Sequence, residues 1–136
     1  MTVLASPSVP VSWGELLDKV TILEIKLDRI DRAEARANVA REHRLLHAAA
    51  ADALAVVGID RLHDRLKRVN QELWDIEDAI REEEVAAAFG ARFVELARAV
   101  YRTNDLRAAI KREINDLLGS ELVEEKSYAA SVPSAG

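Results

Sequence analysis

In the stretch YRTNDLRAAIKREIN, residues 101–115, two cations occupy positions where an amphipathic helix should carry Leu or Ile. On a wheel of 100° per residue centred on Val100, Arg107 lies about 20° to one side of the apolar axis and Lys111 about 20° to the other, with Asn104 and Asn115 about 40° and 60° off. These side chains are expected to face other helices. An isolated charge in such a place costs more than any single contact returns, so carboxylates or a bound anion must answer both. Two chemistries fit. One is a satisfied polar layer that fixes helix register, with the long stems packed as hydrocarbon. The other is a pocket in which Arg107 and Lys111 bind a small carboxylate or phosphate and Asn104 or Glu77 orients it.

The nearest acidic candidates by wheel position are on the third predicted helix, where Glu84 lies about 20° and Glu77 about 40° from the Leu73 stripe, with Asn70 and Trp74 farther round. On the first helix, Glu24 flanks the apolar stripe on one side and Lys19 and Lys26 on the other. The candidate site is therefore Arg107, Lys111, Asn104, Glu77 and Glu84, with Lys26 as a further cation. His43 and His47 stand one helical turn apart, a spacing that can chelate zinc, and His63 can approach from the next helix. The intervening sequence HRLLH lacks the Glu of the HExxH motif, so the histidines read as surface residues. No Gly-rich phosphate loop, Gly-x-Ser-x-Gly elbow or Glu-x-x-His pair of a di-iron bundle occurs. No catalytic residue, cofactor or metal is assigned, and Trp13 and Trp74 read as packing residues.

The elements that must position these groups are all predicted helices. Ser12 and Glu15 form a capping box, with Val11 and Leu16 placed as a hydrophobic staple, so the first helix starts at Ser12. Leu16, Val20, Leu23, Leu27 and Ile30 follow at spacings of four and three. From Ile30 to Val39, where the next apolar face begins, is nine residues, about 900°, which reverses the stripe and predicts a turn at 31–35 with Asp31 and Glu34 as caps. A second helix carries Val39, Leu46, Ala50, Ala53 and Val57 and is expected to end at Gly58, with Asp60 capping the third. Leu62, Leu66, Val69, Leu73, Ile76 and Ile80 form the most regular heptad run. A second phase reversal predicts a turn at 86–90, after which Phe89, Phe93, Leu96, Val100, Ile110, Ile114 and Leu118 line a fourth helix closed by Gly119. The expectation is an all-α antiparallel bundle of about four helices, each about 20 to 29 residues, or coiled-coil hairpins completed in a dimer.

A chain of 136 residues makes one domain, read here as a tail over 1–11, a helical domain over 12–128 and a second tail over 129–136. With 4% aromatic residues, its core must be aliphatic. No Cys is present, which excludes disulfides and thiolate metal sites. No apolar run approaches about 18 residues and the N-terminus lacks a secretion-signal pattern, so a cytoplasmic location without membrane insertion is expected. Nineteen basic residues against 24 acidic ones, interspersed, provide no basic stripe for nucleic acid.

As a set, SWGELLDK (12–19), ILEIK (22–26), LWDIED (73–78), FGARFVELARAVY (89–101), IKREIN (110–115) and EEKSY (124–128) resemble a family of short, all-helical bacterial proteins of unknown function. The resemblance implies an accessory role beside sugar-transfer or surface-polysaccharide enzymes. The expected function is a non-catalytic bundle acting through protein contacts, as a homo-oligomer or with a partner. The alternative is a small-anion binding protein or enzyme. The segment SELVEEKSY after Gly119 either folds back over the bundle end or serves as a partner-binding tail.

Overall fold

The computed structural model describes residues 1–127, and every regular element there is helical. The helices are α1 (Trp13–Arg29), α2 (Ala33–Ala49), the single turn α3 (Ala51–Leu54), α4 (Ile59–Val85) and α5 (Ala91–Leu118). Two of the expected long helices are shorter than anticipated, since α1 and α2 have 17 residues each against 27 in α4 and 28 in α5. At 1.5 Å per residue, the α4–α5 hairpin is therefore about 15 Å longer than the α1–α2 pair.

Ser12 is the N-cap of α1, and its Oγ accepts the Glu15 backbone N–H at 3.1 Å. The Glu15 carboxylate is engaged by Lys111, at 2.6 Å, across the helix interface. The other end of α1 is capped from outside. Arg36 Nη1 donates to the carbonyls of Leu27 and of Ile30, the latter at 3.0 Å, satisfying acceptors that a helix end leaves unpaired.

Several expected caps are displaced. Arg32, not Asp31 or Glu34, occupies the N-cap of α2, and it makes no side-chain cap bond. The second helix breaks at Ala50 rather than running to Gly58. Only Ala50 and Ala53 of its C-terminal apolar run are buried, while Val57 is 93% exposed, so nothing holds the stripe in register beyond them. Gly58 instead precedes α4 with φ 96°, a left-handed conformation that favours glycine. Asp60 lies within the first turn of α4, where its Oδ1 accepts the Arg61 N–H at 2.9 Å. The predicted turn at 86–90 is present, but Phe89 lies in it, 55% exposed and edge-on to Phe93, instead of lining α5. Gly119 closes α5 in the left-handed region.

Helix α1 packs against α2, α4 and α5 and is buried on nearly every side. Its Leu16, Leu17 and Val20 meet Ala50, Ile59, Leu66, Ile110 and Ile114 in an aliphatic core. The approach to α5 is close at Gly14, where a Cβ would stand 2.6 Å from the Lys111 carbonyl oxygen. Beyond Gly119 the chain folds back, with Arg112 Nη2 donating to Glu125 at 3.1 Å and Ser12 Oγ to Glu124 at 2.5 Å. Tyr128 and the expected tail over 129–136 lie outside the described residues.

Candidate functional site

The two inward cations are answered by carboxylates from α1. Asp18, fully buried between α4 and α5, accepts two bonds from Arg107: Nε to Oδ1 at 2.9 Å and Nη2 to Oδ2. This forked pairing is the guanidinium's strongest geometry. Asn70 of α4 donates at 2.8 Å to Asp18 Oδ1 and at 2.8 Å to Thr21 Oγ1, and the Thr21 hydroxyl donates back to the Asp18 carbonyl at 2.7 Å. Three helices are thus joined by one polar layer. Hydrogen bonding to Asp18 raises the Arg107 pKa above the ordinary guanidinium value, outweighing burial.

Lys111 lies one turn farther along α5, toward the N-terminus of α1, and donates to Glu15 Oε2 at 2.6 Å. Asn115, one turn beyond it, accepts the Gly14 N–H at 2.7 Å and donates to Glu124 Oε2 at 3.4 Å. Burial alone would push the Glu124 carboxyl upward, but the Ser12 hydroxyl and its other polar neighbours outweigh it and hold the pKa below the ordinary value. Segments 12–19, 110–115 and the start of 124–128, distant in sequence, meet at this end of the bundle. Beside them is a cavity of about 330 Å³ whose polar lining includes Lys111, Arg112, Asn115, Glu124 and Lys126.

The remaining sequence candidates do not join this layer. Glu77 and Glu84 are exposed, and Glu77 reaches Arg107 only through its longer-range field. Asn104 and Lys26 are half-buried. The carboxylates that meet the cations, Asp18 and Glu15, do not emerge from a single inward stripe on α1. The run LLDKVTILEIKL is apolar on more than one side, the pattern of a helix buried all round, and that signal places Asp18 and Thr21 inward.

A second polar cluster joins α1, α2 and α4. Glu24 lies 3.2 Å from Lys67 Nζ, 3.5 Å from His63 Nε2 and 3.6 Å from His43 Nε2. His63 first, and Lys67 with it, lower the Glu24 pKa from 4.5 to about 2 against the opposing effect of burial. His43 and His63 are thus half-buried or nearly buried partners of a carboxylate rather than surface residues. His47 stacks on His43 with ring centroids 5.3 Å apart. Among the described residues, no group of three or more His, Cys, Asp or Glu side chains is arranged to hold a metal ion, and no helix is long and apolar enough to cross a membrane.

The sequence model of a family described as "Family of unknown function (DUF6165)" matches residues 8–136, and the chain belongs to that family. No curated protein and no solved structure matches the chain significantly.

Proposed function

We propose that this chain is a non-catalytic helical module that works through protein contacts. The observation that carries the reading is the Asp18–Arg107 pair. The charge that made an interior anion site attractive is already matched by a buried carboxylate, held in turn by Asn70. Lys111 is matched in the same way by Glu15. A small anion entering here would have to displace an intramolecular partner that is tethered and so has a high effective concentration. Exposed apolar side chains on the α4–α5 hairpin, Val85, Phe89, Val94 and Tyr101 among them, provide surface for a partner. Within this reading, an accessory role beside sugar-transfer or surface-polysaccharide enzymes in a bacterial cytoplasm rests on the family resemblance.

The test is chemical cross-linking of the full chain in its native extract, alongside sedimentation of the purified protein. Reproducible cross-links to one protein or to a second copy are expected. A strictly monomeric chain with no specific cross-link overturns the reading.

A small-anion function is favoured by one observation, the 330 Å³ cavity beside Lys111 and Arg112. Thermal-shift screening with carboxylates and sugar phosphates separates the two, because a ligand at a hundred times its dissociation constant stabilises a fold by about 2.7 kcal/mol.

A further inference from the structure

The α4–α5 hairpin has a face that α1 covers at one end and leaves open at the other. At the end of α1, Arg29 lies over the Trp74 ring, 5.9 Å from its centroid, and pairs with Asp75. Past that level, from 76 to 102, Leu96 is the one described residue that is buried, and it keeps 9% exposure. The apolar stripes of the two helices are not enclosed there, since Ile76, Ile80, Phe93 and Val100 all stay partly exposed, and a third packed element would bury them.

Heptad arithmetic identifies what lines the open face. Asn70 contacts α1, and positions seven and fourteen residues on along the same side of α4 are Glu77 and Glu84. Arg107 contacts α1, and the equivalent positions seven and fourteen residues back along α5 are Val100 and Phe93. The open groove therefore has an aromatic and aliphatic wall on α5, partly exposed, and on α4 a charged wall in which the two carboxylates Glu77 and Glu84 outnumber the one cation on that side, Arg81. Trp74 stands at its entrance. Between 76 and 101 there are six carboxylates and three arginines.

We propose that this open groove, in line with α1, takes an amphipathic helix from a partner protein, with its apolar face on Phe93 and Val100 and its basic residues against Glu77 and Glu84. The inference rests on the protein-contact reading and deepens it by naming the surface and the partner's chemistry. The acidic excess selects the occupant. A second copy of this chain docking through the same arm would bring like charges together, whereas a Lys- or Arg-bearing helix meets opposite ones.

The test uses the full chain and two synthetic amphipathic peptides of about three heptads, with the same Leu positions and either Lys or Glu elsewhere. Binding is followed by calorimetry, and the site by amide chemical shifts. The Lys peptide is expected to bind with shifts confined to about residues 74–104, at least about tenfold more tightly than the Glu peptide, and more weakly as salt rises. Glu77→Lys with Glu84→Lys should reverse the preference. Both positions are exposed, so the variant's fold, checked by circular dichroism, should be unchanged. Equal binding of both peptides, shifts elsewhere on the chain, or no effect of the charge reversal overturns the inference. Self-association abolished by the same variant overturns it in favour of a second copy. If the peptides fail while the native chain still cross-links to a partner elsewhere, the groove assignment falls and the protein-contact function stands.

Discussion

Asp18 shows how much one buried carboxylate can organise, because it holds the Arg107 guanidinium, Asn70 and, through its own carbonyl, Thr21. Asp18→Ala removes the acceptor and leaves a half-buried cation without its partner. The expected loss is about 2 to 4 kcal/mol, below the figure for fully buried pairs because the Arg107 side chain keeps 30% exposure, and denaturant titration measures it. The pair need not be stabilising relative to hydrocarbon. Asp18→Leu combined with Arg107→Met should recover most of that loss, since replacing both charges removes two desolvation penalties together. A double variant no more stable than Asp18→Ala would show that the layer does more than neutralise itself. Gly14 supplies a second test at this scale. Alanine gains about 1 kcal/mol of helix propensity over glycine, but its Cβ would meet the Lys111 carbonyl at 2.6 Å and Asn115 Oδ1 at 3.0 Å. Both belong to the α5 contact, and overpacking against backbone costs about 1 to 3 kcal/mol, so Gly14→Ala should lower the melting temperature despite its propensity.

At the scale of elements, α1 is held by α5 through the Asp18 layer and by α2 and α4 through Glu24. The Glu24 carboxyl is lowered from 4.5 to about 2 in the folded chain, so its contribution is fully present above about pH 4.5 and is lost as pH falls through about 2. The groups facing it are His43 from α2 and His63 and Lys67 from α4. Melting temperature should therefore drop across that acid window, and Glu24→Gln should flatten the drop; an unchanged slope would remove Glu24 from the account. Glu124, also lowered, contributes with the same sign. What the sequence disclosed about these elements follows from the kind of signal each carries. Ser12, Gly119 and the turn at 86–90 were legible because cap chemistry and phase reversals are local. The inward orientation of Arg107 and Lys111 was legible from the wheel. Their partners were not, because a wheel identifies a side and says nothing of which neighbour covers it. Glu77 and Glu84 do share the side of α4 that meets α1, by heptad spacing from Asn70, but α1 is only 17 residues long. They are left facing solvent, while carboxylates on α1 itself meet the cations.

For the whole molecule, this mismatch of helix lengths divides the stability between two regions. The end containing residues 12–25, 43–53, 59–73 and 103–118 holds the aliphatic core and both polar clusters, whereas the hairpin from 76 to 102 has Leu96 as its one buried residue. Local opening free energy follows buried apolar contact, so the hairpin end should open without the rest. Amide hydrogen exchange of the isolated chain should show α1 amides from Val20 to Ile25 exchanging near the global unfolding limit. Those from Glu77 to Glu84 and from Phe93 to Ala99 should be protected at least about a hundredfold less. The contrast should vanish in a complex if a partner helix fills the groove, because the hairpin would then gain the third layer it lacks. Uniform protection along α4 and α5 in the isolated chain would mean that the hairpin is already complete, and that nothing in its stability calls for a partner at that end.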